Sequence, residues 1–323
     1  MTCADHRIDR RPSPSATSVP QRKIRMSSED VMTVHILGIG SVGSICAYLL
    51  SKSRHRVAVL TRRPLVPPVI HPLNGKPIQL SELLDDTLGA TSIKALLVTP
   101  KAHQTRSALA GHVNRITKDT LAIFLQNGMG IVDSVRDILP TKRIVLGTTT
   151  MGAHRDANNI HWVAKGQTLF SPEPPTSLST NEQEIISYLG DLVPFDTLQE
   201  RMFLKVAVNA CINPVTAIFN LPNACVADTQ SLAHALAMRL AKEIQSVYAI
   251  ALPEMDMSKL DDLVVQLASD TGGNVSSMLA DVRARRETEI DFINGYIVEM
   301  GARVGVNVPK NKAIIERVKQ VAK

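Results

Sequence analysis

Residues 34–50 read VHILGIGSVGSICAYLL, and no other stretch restricts the fold as tightly. A β-rich apolar run ends in Gly38, Gly40 and Gly43, then resumes with helical spacing. From Val31 to Ser51 there is no Lys, Arg, Asp or Glu. A membrane span would account for that, but three glycines with His35, Ser41 and Ser44 leave the stretch weakly apolar, and no second span follows. A strand that turns into a helix through G-x-G-x-x-G accounts for it better. Gly38 permits a tight turn, Gly40 lets the backbone approach a pyrophosphate with no Cβ in the way, and Gly43 lets helix and strand pack closely. The first helical amides, at Ser41 and Val42, are then free to face an anion.

The next strand selects the nucleotide. Sites selective for NAD usually carry Asp or Glu at the end of the second strand, about 20 residues beyond the glycines, to bind the ribose 2′-hydroxyl. Here RVAVL (56–60) runs into Thr61, Arg62 and Arg63 with no carboxylate. A guanidinium suits a 2′-phosphate, so NADPH is the expected cofactor and Arg62 its reader. Two arginines in a solvated loop are the alternative. Two further strand ends carry polar residues where ligands of parallel sheets bind: Lys101 in VTPKAHQT and Asn127 in LQNGMG. A solvated lysine and a plain Asn-Gly turn would read the same way.

Up to residue 151 short apolar runs alternate with helical ones. Strands are expected at VMTVHIL, RVAVLT, IKALLVT, TLAIFLQ and RIVLGTTTM, and helices at VGSICAYLLSKS, AHQTRSALAGHVNRI and GIVDSVRDIL. Near-continuous apolar strands separated by helices predict a parallel sheet covered on both faces. NNIHWVAKGQTLF reads as two short antiparallel strands closing the sheet edge, and NEQEIISYLGDL as a short helix. Beyond Thr197, periodicity and breakers give helices over 198–220, 229–252, 258–269, 276–302 and 309–322. The expected class is α/β: a Rossmann-type parallel-sheet domain at 31–195 binding NADP, then an all-helical substrate and catalytic domain at 196–323.

Composition narrows the function. A chain of 323 residues suits two domains, and 36 basic against 30 acidic residues leave a scattered net charge of +6. With only 3% aromatic residues and scattered basic charge, nucleic-acid binding is not expected, whereas a small anionic ligand fits. Cys3, Cys46, Cys211 and Cys225 form no CxxC, and no metal-ligand cluster is present, so ordinary thiols in a reducing compartment are expected. Residues 1–30, with DRRPSPSATSVPQRK, read as a disordered leader. A cytoplasmic location is expected, or a mitochondrial one if the leader is a transit peptide, although Asp5, Asp9, Glu29 and Asp30 dilute that signal.

The chemistry is sought in RMFLKVAVNACINPVTAIFNLPNA (201–224). Lys205 and Asn209 stand four apart, so one helix puts them on one face, and Asn213 extends the line. Facing a nicotinamide, Lys205 could protonate a carbonyl oxygen as hydride arrives at carbon. A solvated polar face is the other reading of this stripe.

GIGSVG, QNGMG, KVAVNACINPVTAIFNLPN and SSMLADVRARRETEIDFINGYIV together resemble the ketopantoate reductase family, in order over about residues 32–323. The resemblance implies NADPH-dependent reduction of 2-dehydropantoate, a branched 2-keto acid, to pantoate for coenzyme A synthesis. It implies Lys205 as general acid and Asn209 as the residue orienting substrate with it. Asn127 would lie on the cofactor side, and Ser277 would bind the substrate carboxylate. Glu289 would contact the substrate hydroxyl and pair with Lys205, and Asn213 and Asn223 are further substrate candidates. TPKAHQT only approximates the family's strand-end motif around Lys101, and the segment after RVAVLT is short and rich in proline. A reductase of another branched 2-keto acid, or an NADPH-binding regulator without turnover, are the alternatives. The run Arg283, Arg285, Arg286 is expected to be a solvated helix face, Trp162 a packing anchor, and dimerisation through apolar helices a further expectation.

Overall fold

The computed structural model describes residues 31–62 and 64–323, so the expected leader and Arg63 lie outside the described residues. The chain begins with β1 (Thr33–Leu37), α1 (Ser41–Leu50) and β2 (Arg56–Leu60), then three short strands, β3 (Val69–His71), β4 (Ile78–Gln79) and β5 (Leu84–Asp85). It continues through β6 (Ile93–Val98), α2 (Thr105–Ala110), β7 (Ile116–Leu125) and β8 (Ile144–Thr149). Then follow β9 (Gly152–Asp156), β10 (Asn159–Ala164), β11 (Thr168–Pro172), α3 (Thr180–Leu189) and β12 (Asp191–Leu192).

The main sheet has the order β12-β11-β8-β7-β6-β1-β2-β5. Every pairing in it is parallel except β11 with β8. Its central strands are apolar on both faces because both are covered. Val34, Ile36, Val59, Leu97, Leu121 and Ile123 pack with Ile45 of α1 and Ile185 of α3 on one side. Leu37, Leu60, Leu96, Val98, Ala122 and Phe124 pack with Leu109 of α2 on the other.

Two expectations about this half are corrected. The stretch NNIHWVAKGQTLF does not supply two strands to one sheet edge. Its first part is β10, which joins β3, β4 and β9 in a separate four-stranded sheet, and only its second part, β11, pairs with β8. Ile70 and Ile160 of that second sheet are fully buried against the α1 layer, and this burial draws the strands off the main sheet. Its His71, His161 and His154 form a stacked row, with centroids 4.4 and 4.9 Å apart. The helix expected at GIVDSVRDIL is only a 3₁₀ turn, Asp133–Val135, and AHQTRSALAGHVNRI holds just the six residues of α2 between two such turns. Trp162 is the anchor expected, edge-to-face with Tyr48 at 6.4 Å.

The rest of the described chain is helical: α4 (Phe195–Phe219), α5 (Ala224–Ala227), α6 (Leu232–Ala251), α7 (Leu260–Asp270), α8 (Ser277–Arg283), α9 (Ile290–Arg303) and α10 (Pro309–Val321). By length and composition α4 could cross a membrane, yet 67% of its most apolar window is buried inside the protein. It forms the axis of the second core with Leu240, Ile244, Ile293, Ile297 and Val318 around it.

Pro214 sits inside α4 without breaking it. A proline there deprives the carbonyl four residues earlier, that of Ala210, of its helical donor. Asn294 of α9 supplies the missing hydrogen bond, its Nδ2 donating to the Ala210 carbonyl at 2.9 Å. The same amide donates to Asn311 Oδ1 at 3.0 Å, and Asn311 donates to Glu243 of α6 at 2.9 Å. Three helices are thereby tied to α4 through one buried polar network.

The single helix expected over 276–302 is two helices. α8 stops at Arg283, Arg285 takes a left-handed φ of 50°, and α9 starts only at Ile290. The arginines are therefore not a helix face: Arg283 donates to Asn220 Oδ1 at 2.8 Å and Arg286 pairs with Asp281 at 3.1 Å. The break turns Thr288 and Glu289 inward, where both are buried. Glu289 then meets partners on the sheet that a periodicity argument cannot see.

Candidate active site

The carboxyl ends of the parallel strands converge, as strand register requires. Gly38 follows β1 with φ of 88°, and its amide donates to the carbonyl of Leu60, the last residue of β2, at 3.3 Å. A Cβ on Gly38 would lie 3.0 Å from the backbone of Pro100, just past β6. At Gly43 a Cβ would stand 2.1 Å from the Gly38 carbonyl and 2.5 Å from Thr99 Oγ1, so only glycine fits. Thr99 closes the turn by donating to the Gly38 carbonyl at 2.6 Å. At Gly40 a Cβ would meet nothing within 4 Å. The tight turn, the close packing and an open approach thus fall on the three glycines as expected.

These residues fit a dinucleotide. The turn opens onto the N-terminus of α1, which has no capping side chain and no acidic residue in its first turn, so Ser41 and Val42 offer uncompensated amides. Arg62 is exposed two residues beyond β2 and makes no hydrogen bond or ion pair with the described residues.

Further along the same strand ends, beside β7 and β8, stands Lys205. Its partly buried amine donates to the carbonyl of Thr149, the last residue of β8, at 2.6 Å and to Asn127 Oδ1, just past β7, at 2.9 Å. Burial lowers its pKa to about 8, against the opposing charge of Glu289. Asn127 in turn donates to Glu289 Oε2 at 3.4 Å. Its loop is seated on α9: the Met129 amide donates to the Phe292 carbonyl at 2.9 Å, and Gly128, with φ of 91°, has no room for a Cβ against Phe292.

The direct Lys205–Glu289 pair expected from the sequence is not formed within 4 Å; Asn127 stands between them. Glu289, 5% exposed, instead accepts from the Ala102 amide at 3.1 Å and lies 3.6 Å from Lys101. Lys101 also pairs at 2.8 Å with Asp281 of α8, which is 3% exposed. Burial works to lower the Lys101 pKa, but the charges of Glu289 and Asp281 prevail and hold it above the ordinary lysine value.

Asn209 lies one turn beyond Lys205 on α4, partly exposed and with no protein partner for its amide among the described residues. Asn213 follows on the same line and is buried at 7% exposure. Ser277, exposed, is the first residue of α8, whose cap Ser276 is bonded to Thr216 of α4 at 2.7 Å. Asn223 is set apart from this group. Its Nδ2 donates to Thr271 at 2.9 Å and its backbone amide to the Asn274 carbonyl at 3.0 Å, so it braces the loop before α8.

Sequence reasoning missed Thr149, the Ala102 amide, Asp281 and Thr99. Two act through backbone groups, which leave no trace in residue type. Asp281 follows Ser277 by four residues, and that spacing was its one visible signal.

The family model described as ketopantoate reductase PanE/ApbA matches residues 34–175, and its C-terminal counterpart matches residues 197–322. The 2-dehydropantoate 2-reductase of Shigella flexneri is 31% identical over 301 residues, covering 90% of this chain and 95% of that protein. Among solved structures, a ternary complex of D-mandelate dehydrogenase with NADH and anilino(oxo)acetate shares the fold, with TM-score 0.78, 22% identity and coverage of 90% and 98%. A dimeric ketopantoate reductase from Staphylococcus aureus does so with TM-score 0.73, 17% identity and the same coverage. With both halves of the family model matched in order, and a relative above 30% identity along nearly its whole length, the chain belongs to the ketopantoate reductase family of oxidoreductases.

Proposed function

We propose that the protein reduces 2-dehydropantoate to pantoate with NADPH, and that Lys205 is the general acid. One observation carries this reading. An ammonium has three donors; two of those on Lys205 are committed to Thr149 and Asn127, which leaves one for a ligand at the strand ends.

NADPH, when bound, supplies the hydride that adds to the keto carbon. Negative charge then builds on the carbonyl oxygen, and the third N–H of Lys205 transfers its proton there, leaving a neutral amine and a 2-hydroxy acid. A pKa near 8 leaves the amine charged at neutral pH and still willing to release its proton. Asn127 holds the amine toward the sheet, Asn209 is free to bind the substrate beside it, and Ser277 offers a hydroxyl to the carboxylate. Glu289, fixed by the Ala102 amide, receives the substrate's hydroxyl end. Gly38, Gly40, Ser41, Val42 and Gly43 would hold the pyrophosphate, and Arg62 the 2′-phosphate. The three described cysteines, Cys46, Cys211 and Cys225, are unpaired, in keeping with a cytoplasmic setting. A homodimer is in keeping with the dimeric Staphylococcus aureus relative.

Loss of NADPH absorbance is followed on adding 2-dehydropantoate, pyruvate, 2-ketoisovalerate or phenylglyoxylate. Turnover confined to 2-dehydropantoate is expected. Preference for another acid would move the assignment to a different 2-keto acid reductase, and NADPH binding without turnover on any of them would make the chain a regulator.

A further inference from the structure

Arg155 of β9 belongs to the second sheet, yet its guanidinium reaches the glycine turn. Nη2 donates to the carbonyl of Ile39, the residue between Gly38 and Gly40, and stands 3.4 Å from Ser44 Oγ. Ser44, fully buried in α1, donates to the same carbonyl at 3.2 Å. Arg155 forms no ion pair with the described residues. The opposite strand position, Ile160, is fully buried, which fixes the stretch of β9 that carries it.

We propose that Arg155 is a positioning residue for the cofactor's pyrophosphate: by pinning the Ile39 carbonyl it aims the Gly40 amide at the phosphate. The proposal rests on the dinucleotide reading above. A trans peptide is planar, so its C=O and N–H point in opposite directions. With the Ile39 oxygen held toward Arg155 and Ser44, the Gly40 N–H points away from both. It has no acceptor among the described residues, and Gly40 is exposed. Without the guanidinium only the Ser44 hydroxyl holds the Ile39 carbonyl, and a Gly40 N–H less firmly aimed binds an anion more weakly. The guanidinium also places a positive charge, with no carboxylate opposing it, beside the turn.

Arg155→Met keeps an unbranched side chain and removes the guanidinium donors. NADPH and NADH affinities are measured by titrating the enhancement of nicotinamide fluorescence, without substrate. Both dissociation constants are expected to rise by the same factor, roughly tenfold for one lost charge-assisted hydrogen bond. The steady-state loss should appear in the KM for cofactor, with the KM for keto acid unmoved. Arg155→Lys, which keeps a charged donor, should recover most of the affinity. In Arg62→Ala, by contrast, only NADPH should weaken. Affinities unchanged in Arg155→Met would overturn the proposal, as would a loss for NADPH alone, which would place Arg155 at the 2′-phosphate. If the unaltered protein binds neither dinucleotide, the cofactor reading itself fails, and this inference with it.

Discussion

The Lys205 amine and the Asn127 side-chain oxygen lie 2.9 Å apart, so a helix of the second half of the chain is bonded to the loop that ends a strand of the first. The Asn127 nitrogen faces Glu289. One amide therefore bridges a cation and an anion that do not meet directly.

Reduction should fall as pH rises through about 8, since Lys205 must be protonated to act as the acid. At one unit above that midpoint kcat should be down about tenfold. Oxidation of the 2-hydroxy acid needs the neutral amine and should rise over the same interval. Lys205→Ala should lower kcat by about 100-fold or more, with NADPH affinity little altered. Stopped-flow rates from pH 6 to 10 in both directions check this, and a flat profile would remove Lys205 from the acid's role.

Replacing Asn127 by Asp puts a carboxylate where the Lys205 amine now meets an amide oxygen. A nearby negative charge favours the ammonium, so the midpoint of the pH profile should move upward. Asn127→Ala should lower kcat about tenfold, the size of one lost orienting contact, without that upward movement. A profile unmoved in Asn127→Asp would mean the contact does not operate during turnover.

Lys101→Met leaves Glu289 and Asp281 buried without the cation they share, although Arg286 still faces Asp281. Because the lysine is itself partly exposed, the expected destabilisation is about 1–3 kcal/mol, below that of a fully buried pair. Urea unfolding should show it, together with a raised KM for the keto acid as Glu289 loses the cation beside it.

Asn294→Leu should cost about 1–3 kcal/mol, since the Ala210 carbonyl is left without a donor. Pro214→Ala restores a backbone N–H to that carbonyl. In the Pro214→Ala background the cost of Asn294→Leu should therefore shrink, and a double-mutant cycle measures the difference. Equal costs in both backgrounds would refute the substitution of one donor for the other.

Much of the main sheet was legible because its strands are buried on both faces and so carry long apolar runs, and because G-x-G-x-x-G marks the first strand-to-helix turn. The polar line of Lys205, Asn209 and Asn213 was legible because Pro214 does not end α4, although what it faces was not. The second sheet was obscure. β3 and β4 are only three and two residues long, and Ile70 and Ile160 reveal their burial only against α1. The break after Arg283 was hidden for a different reason. RARRETE is as compatible with a solvated helix as with a turn, and the deciding contacts, from Ala102 and Asn127 to Glu289, lie about 160 to 190 residues away in sequence.

That break also fixes how the segment can change. Glu289 immediately precedes α9, and Arg285 reverses the chain four residues earlier. Adding or deleting one position between them would swing the carboxylate away from Ala102 while both flanking helices stayed whole. The side chains at 284–287 are exposed, but their number is held by the acid they deliver.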